Sequence, residues 1–325
     1  MFRFLALLVA TSAALLVIPT HAQSWKPTRS IEIIVGSGPG GGADLTGRLM
    51  QKLMQGELAA GVPVSVVNKT GGGSTLSYVY LNQHAGDAHY IALSLQPLLT
   101  GPMLRAGQMS YTEMTPLAHL LNEYVGFAVR ADSPLKSARD VVERLRKDPA
   151  SLSFAVSTAL AGSNHLATVL ALKKAGVDIQ KLRIVVMAGA GDSIAGVLGG
   201  HIDVVASSVA GMMSNLQSGK LRGIAVSGPQ RLAGTFADVP TWKEQGVDSV
   251  YANWRGAVGA KGLSNTQIAY WDSVLSQITS TAEWKQSLTR LLQDPVYLNS
   301  QDTRRYLDAQ HQELRGVLVE LGLAK

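Results

Sequence analysis

Hydrophobic positions along the chain fall into short β-branched runs. Each run leads through a glycine-rich turn into a stretch where aliphatic residues recur at helical spacing. Ile31-Glu32-Ile33-Ile34-Val35 predicts the first strand. It passes through Gly36-Ser37-Gly38-Pro39-Gly40-Gly41-Gly42 into a helix opening at Asp44, with Leu45, Leu49 and Leu53 on one face. Residues 64–67 predict a second strand, followed by a turn at 68–74 and a helix carried by Leu76, Val79 and Tyr80; residues 90–93 predict a third. The pattern returns at 152–156, whose turn feeds a helix with Leu166, Val169 and Leu170 that stops at Gly176. It returns again at 183–186, before a helix with Ile194, Val197 and Leu198, and further strands are predicted at 202–206 and 221–226. Ser264 and Gln267 form a capping box for a helix bearing Ile268, Trp271 and Leu275, and helical patterns continue through 284–291 and 304–321. Such alternation predicts an α/β protein with mostly parallel sheets covered by helices on both faces. The chain reads as two lobes, residues 25–124 and 125–247, with 248–325 returning to the first as a helical tail.

The first 22 residues do not belong to this pattern. Arg3 precedes an uncharged apolar run over 4–18, and Pro19-Thr20-His21-Ala22 ends it, the signature of a secretory signal peptide cleaved after Ala22. The run is shorter than the roughly 20 apolar residues a membrane-spanning helix needs. The mature chain is therefore expected to be exported. The full sequence of 325 residues, 46% of them hydrophobic, has ample material for two cores. Cysteine is absent, which excludes disulfides, thiolate metal sites and a cysteine nucleophile. The formal charge of +6 is scattered and makes no basic stripe, so no nucleic-acid partner is expected.

In an open α/β sheet, ligands bind outside the carboxyl ends of the strands. Here the loops at those ends are rich in glycine, serine and threonine, and each runs into a helix N-terminus, where unpaired amides and the helix dipole favour negative charge. Four such ends, at 36–44, 70–76, 157–165 and 188–193, would grip a small organic anion, most readily a carboxylate, if the lobes face one another. Main-chain amides and hydroxyls would then stand in for arginine and lysine. The candidate ligand-binding residues are Ser37, Pro39, Gly40, Gly41 and Asp44 in the first loop and Thr70, Gly71, Gly72, Gly73 and Ser74 in the second. Ser157, Thr158, Ser163, Asn164 and His165 follow in the third, and Gly189 and Asp192 in the fourth. Asp44 and Asp192 either complement helix dipoles or accept from the ligand. His165 either stiffens its loop or touches the ligand.

No cofactor or metal is expected. Gly36-x-Gly38-x-x-Gly41 has dinucleotide-binding spacing, but Pro39 interrupts the turn, and Asn68-Lys69 stand where a ribose-binding acid belongs. The nucleophile-elbow pattern is approached only at residues 191–195, which lack its final glycine, so an exported α/β hydrolase acting on a small carboxylate is the alternative reading. His84 and His89 read as part of a solvated loop, Trp254 and Trp271 as packing residues.

Taken in order, several motifs resemble those of the Bug-type solute receptors of tripartite tricarboxylate transporters. Pro39-Gly40-Gly41-Gly42-Ala43-Asp44 resembles their P-G-G-x-x-D turn, and Asn68-Lys69-Thr70-Gly71-Gly72-Gly73 their N-[RK]-x-G-[AG]-G loop. Ser157 to Leu166 resembles in part their serine/glycine loop ending G-S-x-x-H-L, Leu198 to Asp203 L-x-G-G-x-[IV]-D, and Asp238 to Gly246 D-V-P-T-x-x-E-x-G. The resemblance implies a periplasmic, non-enzymatic receptor of the two-lobed periplasmic-binding-protein type II fold, with the ligand cleft between the lobes. It implies a small organic anion with one to three carboxyl groups as cargo, a monomer, and delivery to membrane permease subunits, or a sensory role with a sensor kinase. Gly36-Ser37 replaces a common Pro-Phe, residues 185–189 replace V-P-Y-x-G, and Ser207-Ser208 stand where many relatives carry Asp or Asn, which places Ser207 among the candidate ligand contacts and leaves the ligand's class open.

Overall fold

The computed structural model describes residues 24–39, 42–105, 107–157, 160–187 and 189–324. The expected signal peptide and its cleavage point lie outside the described residues. The strands are β1 (Ile31–Val35), β2 (Val64–Asn68), β3 (Tyr90–Ser94), β4 (Thr115–Arg130), β5 (Ser153–Ser157), β6 (Arg183–Met187), β7 (Val204–Ser208), β8 (Leu221–Val226), β9 (Ala252–Gly259) and β10 (Asp294–Leu298). The helices are α1 (Gly42–Met54), α2 (Thr75–Asn82), α3 (Pro97–Leu104), α4 (Ala138–Lys147), α5 (Ser163–Lys174), α6 (Ala190–Leu198), α7 (Val209–Gln217), α8 (Asn265–Ser280), α9 (Ala282–Arg290) and α10 (Ser300–Glu320). No helix among the described residues is long and apolar enough to cross a membrane.

The predicted strand–loop–helix units are present, but the sheet is not mostly parallel. β1 pairs in parallel with β2 and β3, and β5 with β6 and β7. Between these two sets lie antiparallel strands that the alternation does not announce, chief among them β4. Over Thr115 to Tyr124 β4 pairs with β9, and over Val125 to Arg130 it changes partners to β7 and β8. One sixteen-residue strand thus joins the two parallel sets.

That register orients everything else. β3 is antiparallel to β9, which is antiparallel to β4, so β1, β2 and β3 run in the direction of β4 and their carboxyl ends point toward its Val125–Arg130 half. β7 is antiparallel to β4, so β5, β6 and β7 point back toward its Thr115–Tyr124 half. Ser94 pairs with Gly256, which pairs with His119, while Ser208 pairs with Val125. The two sets of strand ends therefore aim at one stretch of β4, six residues or about 20 Å long.

Two helices turn a different face to the sheet than their leucines suggest. α1 buries Ala43, Asp44, Thr46, Gly47, Met50 and Met54, and leaves Leu45 47% exposed. α2 buries Ser77, Tyr78 and Leu81, and leaves Leu76 and Val79 exposed. A Cβ on Gly47 would stand 2.9 Å from a Val35 methyl, so α1 lies too close to β1 for a bulky residue on its inner face. Elsewhere the apolar periodicity and the core agree: Leu166, Val169 and Leu170 of α5 are buried, as are Trp254 and Trp271. The capping box of α8 is formed, with Ser264 Oγ accepting from the Gln267 amide at 3.3 Å and Gln267 Oε1 accepting from the Ser264 amide at 2.7 Å. α10 packs on α3 and β4.

His84 and His89 are packed rather than solvated. The His84 ring stacks on Tyr90 at 3.6 Å, and the buried His89 accepts from the Thr28 amide through Nε2 at 3.1 Å.

Candidate functional site

Helices α1, α2, α5, α6 and α7 all start at the opposed strand ends, so their N-termini lie toward the same stretch of β4; that of α7 is capped, Ser208 Oγ accepting from the Gly211 amide at 3.3 Å. Within that frame the predicted residues divide into those that build the loops and those that leave polar atoms unused. Gly40, Gly41 and Thr158 lie outside the described residues.

Asp44 is a builder. Its side chain is buried, Oδ1 accepts from Asn68 Nδ2 at 2.9 Å and Oδ2 from Arg48 Nε at 2.8 Å, so the carboxylate ties α1 to the end of β2. Asn68 also donates to the Ser37 carbonyl at 2.8 Å. Ser74, in the left-handed conformation, donates to the Gly36 carbonyl at 3.3 Å and joins the first loop to the second. His165 belongs to this group too: buried in the first turn of α5, its Nδ1 accepts from the Ala161 amide at 2.9 Å and holds the preceding turn. The Asn164 carbonyl accepts from Thr168 Oγ1 within the helix.

Other candidates face outward or offer free groups. Pro39, Thr70, Gly71 and Gly72 are exposed, the two glycines with φ of 125° and 57°. Gly73 lies in the tight turn Gly72–Ser74, and Ser157 ends β5. Gly189 caps α6 with extended backbone, and Asp192 is exposed in its first turn. Ser37 Oγ and Ser207 Oγ are shut from solvent without a hydrogen-bond partner, as are Ser94 Oγ and Gln96 Nε2 at the end of β3. A buried polar atom without a partner costs on the order of 1–3 kcal/mol, and these four lie at the strand-end junction.

A polar chain crosses between the two loop sets, and apart from Ser163 its members carry no motif that would single them out in the sequence. Ser163 Oγ, at the start of α5, bonds Asn253 Oδ1 at 2.8 Å. Asn253 Nδ2 donates to Glu123 Oε2 at 3.3 Å, and Arg255 Nη2 donates to the same oxygen at 2.7 Å. Glu123 and Arg255 are 5% and 7% exposed. Beside them the buried Tyr251 hydroxyl donates to Gln96 Oε1 at 3.0 Å, and burial raises its pKa. The charges were visible inside largely apolar runs: Glu123 is the sole acid of β4 and Arg255 the sole charge of β9. A buried cationic side chain therefore stands at the strand-end junction beside the start of α1.

Burial lowers the pKa values of His165 and His119 to about 4. Unfolded, each would protonate near 6.5, so between these values the unfolded chain binds more protons and folding weakens as pH falls. Each histidine should contribute a loss on the order of 1 kcal/mol per pH unit over that window, and none above it. Denaturant unfolding at pH 7 and pH 5 checks this: replacing both with glutamine should flatten the slope, and an unchanged slope would refute it.

Comparison with known proteins agrees with this geometry. Residues 47–323 match the family model described as "Tripartite tricarboxylate transporter family receptor". The chain is 27% identical over 321 residues to a Cupriavidus necator protein, "UPF0065 protein in gbd 5'region", covering 97% of this chain and 95% of that one. A TctC solute binding protein from Polaromonas, solved without ligand, superposes with a TM-score of 0.77 at 25% identity, covering 91% of this chain and 99% of its own. The R. palustris protein Rpa4515, solved with adipate, has the same fold, with a TM-score of 0.75 at 20% identity over 92% of this chain and 99% of its own.

Proposed function

Since the chain belongs to the tripartite tricarboxylate transporter receptor family, a family of solute-binding receptors, we propose that it captures a small organic carboxylate in the periplasm and delivers it unchanged to the membrane subunits of a transporter. The observation that carries this reading is the opposition of two sets of strand ends, each opening helix N-termini onto the middle of β4. Such amides supply positive potential without a mobile side chain, which suits reversible capture of an anion. The adipate bound by the R. palustris protein supports a cargo with carboxylates at its ends.

In this proposal residues 25–124 and 248–325 form one lobe and 125–247 the other, joined through β4 and its neighbours. The change of partners along β4 between Tyr124 and Val125 supports that division. Ligand bridging the lobes would bias the closed state by its greater affinity for it. The first 22 residues would direct export and be removed, leaving a monomer.

A thermal-shift screen of the mature chain against mono-, di- and tricarboxylates, sugars and amines tests the function. A cognate carboxylate at 100 times its Kd should stabilise by about 2.7 kcal/mol. A response confined to sugars or cations would overturn the reading. The loop 70–76 has its own test. Gly72 holds φ of 57°, a region that a β-branched residue enters only with strain, and it is exposed beside the strand ends. Gly72→Val should leave a folded protein that no longer responds to the carboxylate; an unchanged response would remove this loop from the site.

A further inference from the structure

The pairing of Arg255 with Glu123 leaves part of its guanidinium unanswered. Its guanidinium lies against the first residue of α1: a Cβ on Gly42 would meet Nη2 at 2.6 Å. The N-terminus of a helix carries positive partial charge, so a cation there is repelled unless something negative joins it. Glu123 answers part of that demand, accepting from Nη2 on one side. Nη1 is buried and has no hydrogen-bond partner. A guanidinium is a fork of five donors that matches a carboxylate in the plane, and here one prong is occupied and another is held out of water without an acceptor.

We propose that Arg255 is the side-chain anchor for one carboxylate group of the captured anion, which would sit between Nη1 and the first amides of α1. This rests on the receptor reading above and names the group that reads the ligand's charge. Glu123 and Asn253 are positioning residues: Glu123 holds Nη2, and Asn253 links Glu123 to Ser163 at the start of α5, so the anchor is tied to the loops of both strand sets. Gly42 belongs to the device because any side chain there would push the guanidinium out of its seat.

Calorimetric titration with succinate, adipate, citrate and benzoate, and with the monoamide of adipate, tests the anchor. The variants are Arg255→Lys, Gly42→Ala and the double variant Glu123→Leu with Arg255→Leu, which removes the buried charges together so that neither is stranded. For a probe that binds the natural chain, the double variant should lose about tenfold or more in affinity, the worth of a charged hydrogen bond. Arg255→Lys should recover part of that loss, because it keeps the charge without the fork. Gly42→Ala should weaken binding while leaving thermal stability within a few degrees. Where adipate binds, its preference over its monoamide should shrink in the double variant, since the amide end can then face position 255 at no cost; a purely structural role would leave that preference intact. If the natural chain binds a probe and the double variant binds it within twofold, Arg255 is not the anchor and the receptor reading survives. If the natural chain binds none of the probes, both fall together.

Discussion

Gly256→Ala is expected to be among the most damaging single methyl additions to this chain. Gly256 sits in β9 between Ser94 of β3 and His119 of β4. A Cβ there would collide with the Ala118 carbonyl oxygen and stand 2.7 Å from Ser94 Oγ. The first obstacle is backbone, so relief requires β9 to leave its ladder with β4. Overpacking of this kind costs typically 1–3 kcal/mol, and a backbone obstacle places Gly256→Ala at the upper end, about 3 kcal/mol or more. For a chain of this size that is a fall in Tm of roughly 5 °C or more, measured by circular dichroism. Because Ser94 and Arg255 flank the position, carboxylate binding should fall with it. A Tm within 1 °C of the natural chain would mean that β3, β9 and β4 are not packed as described.

Glu123→Leu is expected to be comparably costly for a different reason. It leaves Arg255 buried, unpaired and next to the positive end of α1. Removing one partner of a buried ion pair costs about 3–5 kcal/mol, most of it the penalty of the stranded charge rather than the worth of the pair. Pairing it with Arg255→Leu should therefore recover much of the lost stability, even though two polar groups are then gone. Urea unfolding of the single and double variants measures this directly. A single variant that costs under about 1 kcal/mol would show that water reaches Arg255 freely, and would weaken the case for its charge being held for a ligand.

Much of the candidate site could be read from residue order because it lies in local features. A β-branched run, a glycine turn and a helix start occupy about fifteen consecutive residues, and the carboxyl end of such a strand is where ligands bind whatever surrounds it. The loops at 36–44, 70–76, 157–165 and 188–193 are found that way, and the Ser264 capping box is found by a spacing of three. Which side chains in those loops are spent on the scaffold is not local. Asp44 and His165 look like ligand contacts or helix-end residues in the sequence; in the fold the acceptor oxygens of the first bind Asn68 and Arg48, and the ring of the second holds the Ala161 amide. The leucines of α1 and α2 mislead because helical periodicity says which residues share a face, not how close that face may come to a sheet. At Gly47 the approach is so tight that small residues go inward and Leu45 goes out.

Sequence alone determined the class of the chain, its strand–loop–helix units, the glycine corners and, through motifs in a shared order, the family, because each of these is written in residues close together in the chain. Tertiary structure alone decided that β4 is common to both sets of strands, that their ends oppose one another, and that Glu123 and Arg255, 132 positions apart, meet behind α1. Those are pairings between distant segments. They are selected by which registers bury the apolar faces together and satisfy the backbone, a competition among all segments at once that no single stretch of sequence can report.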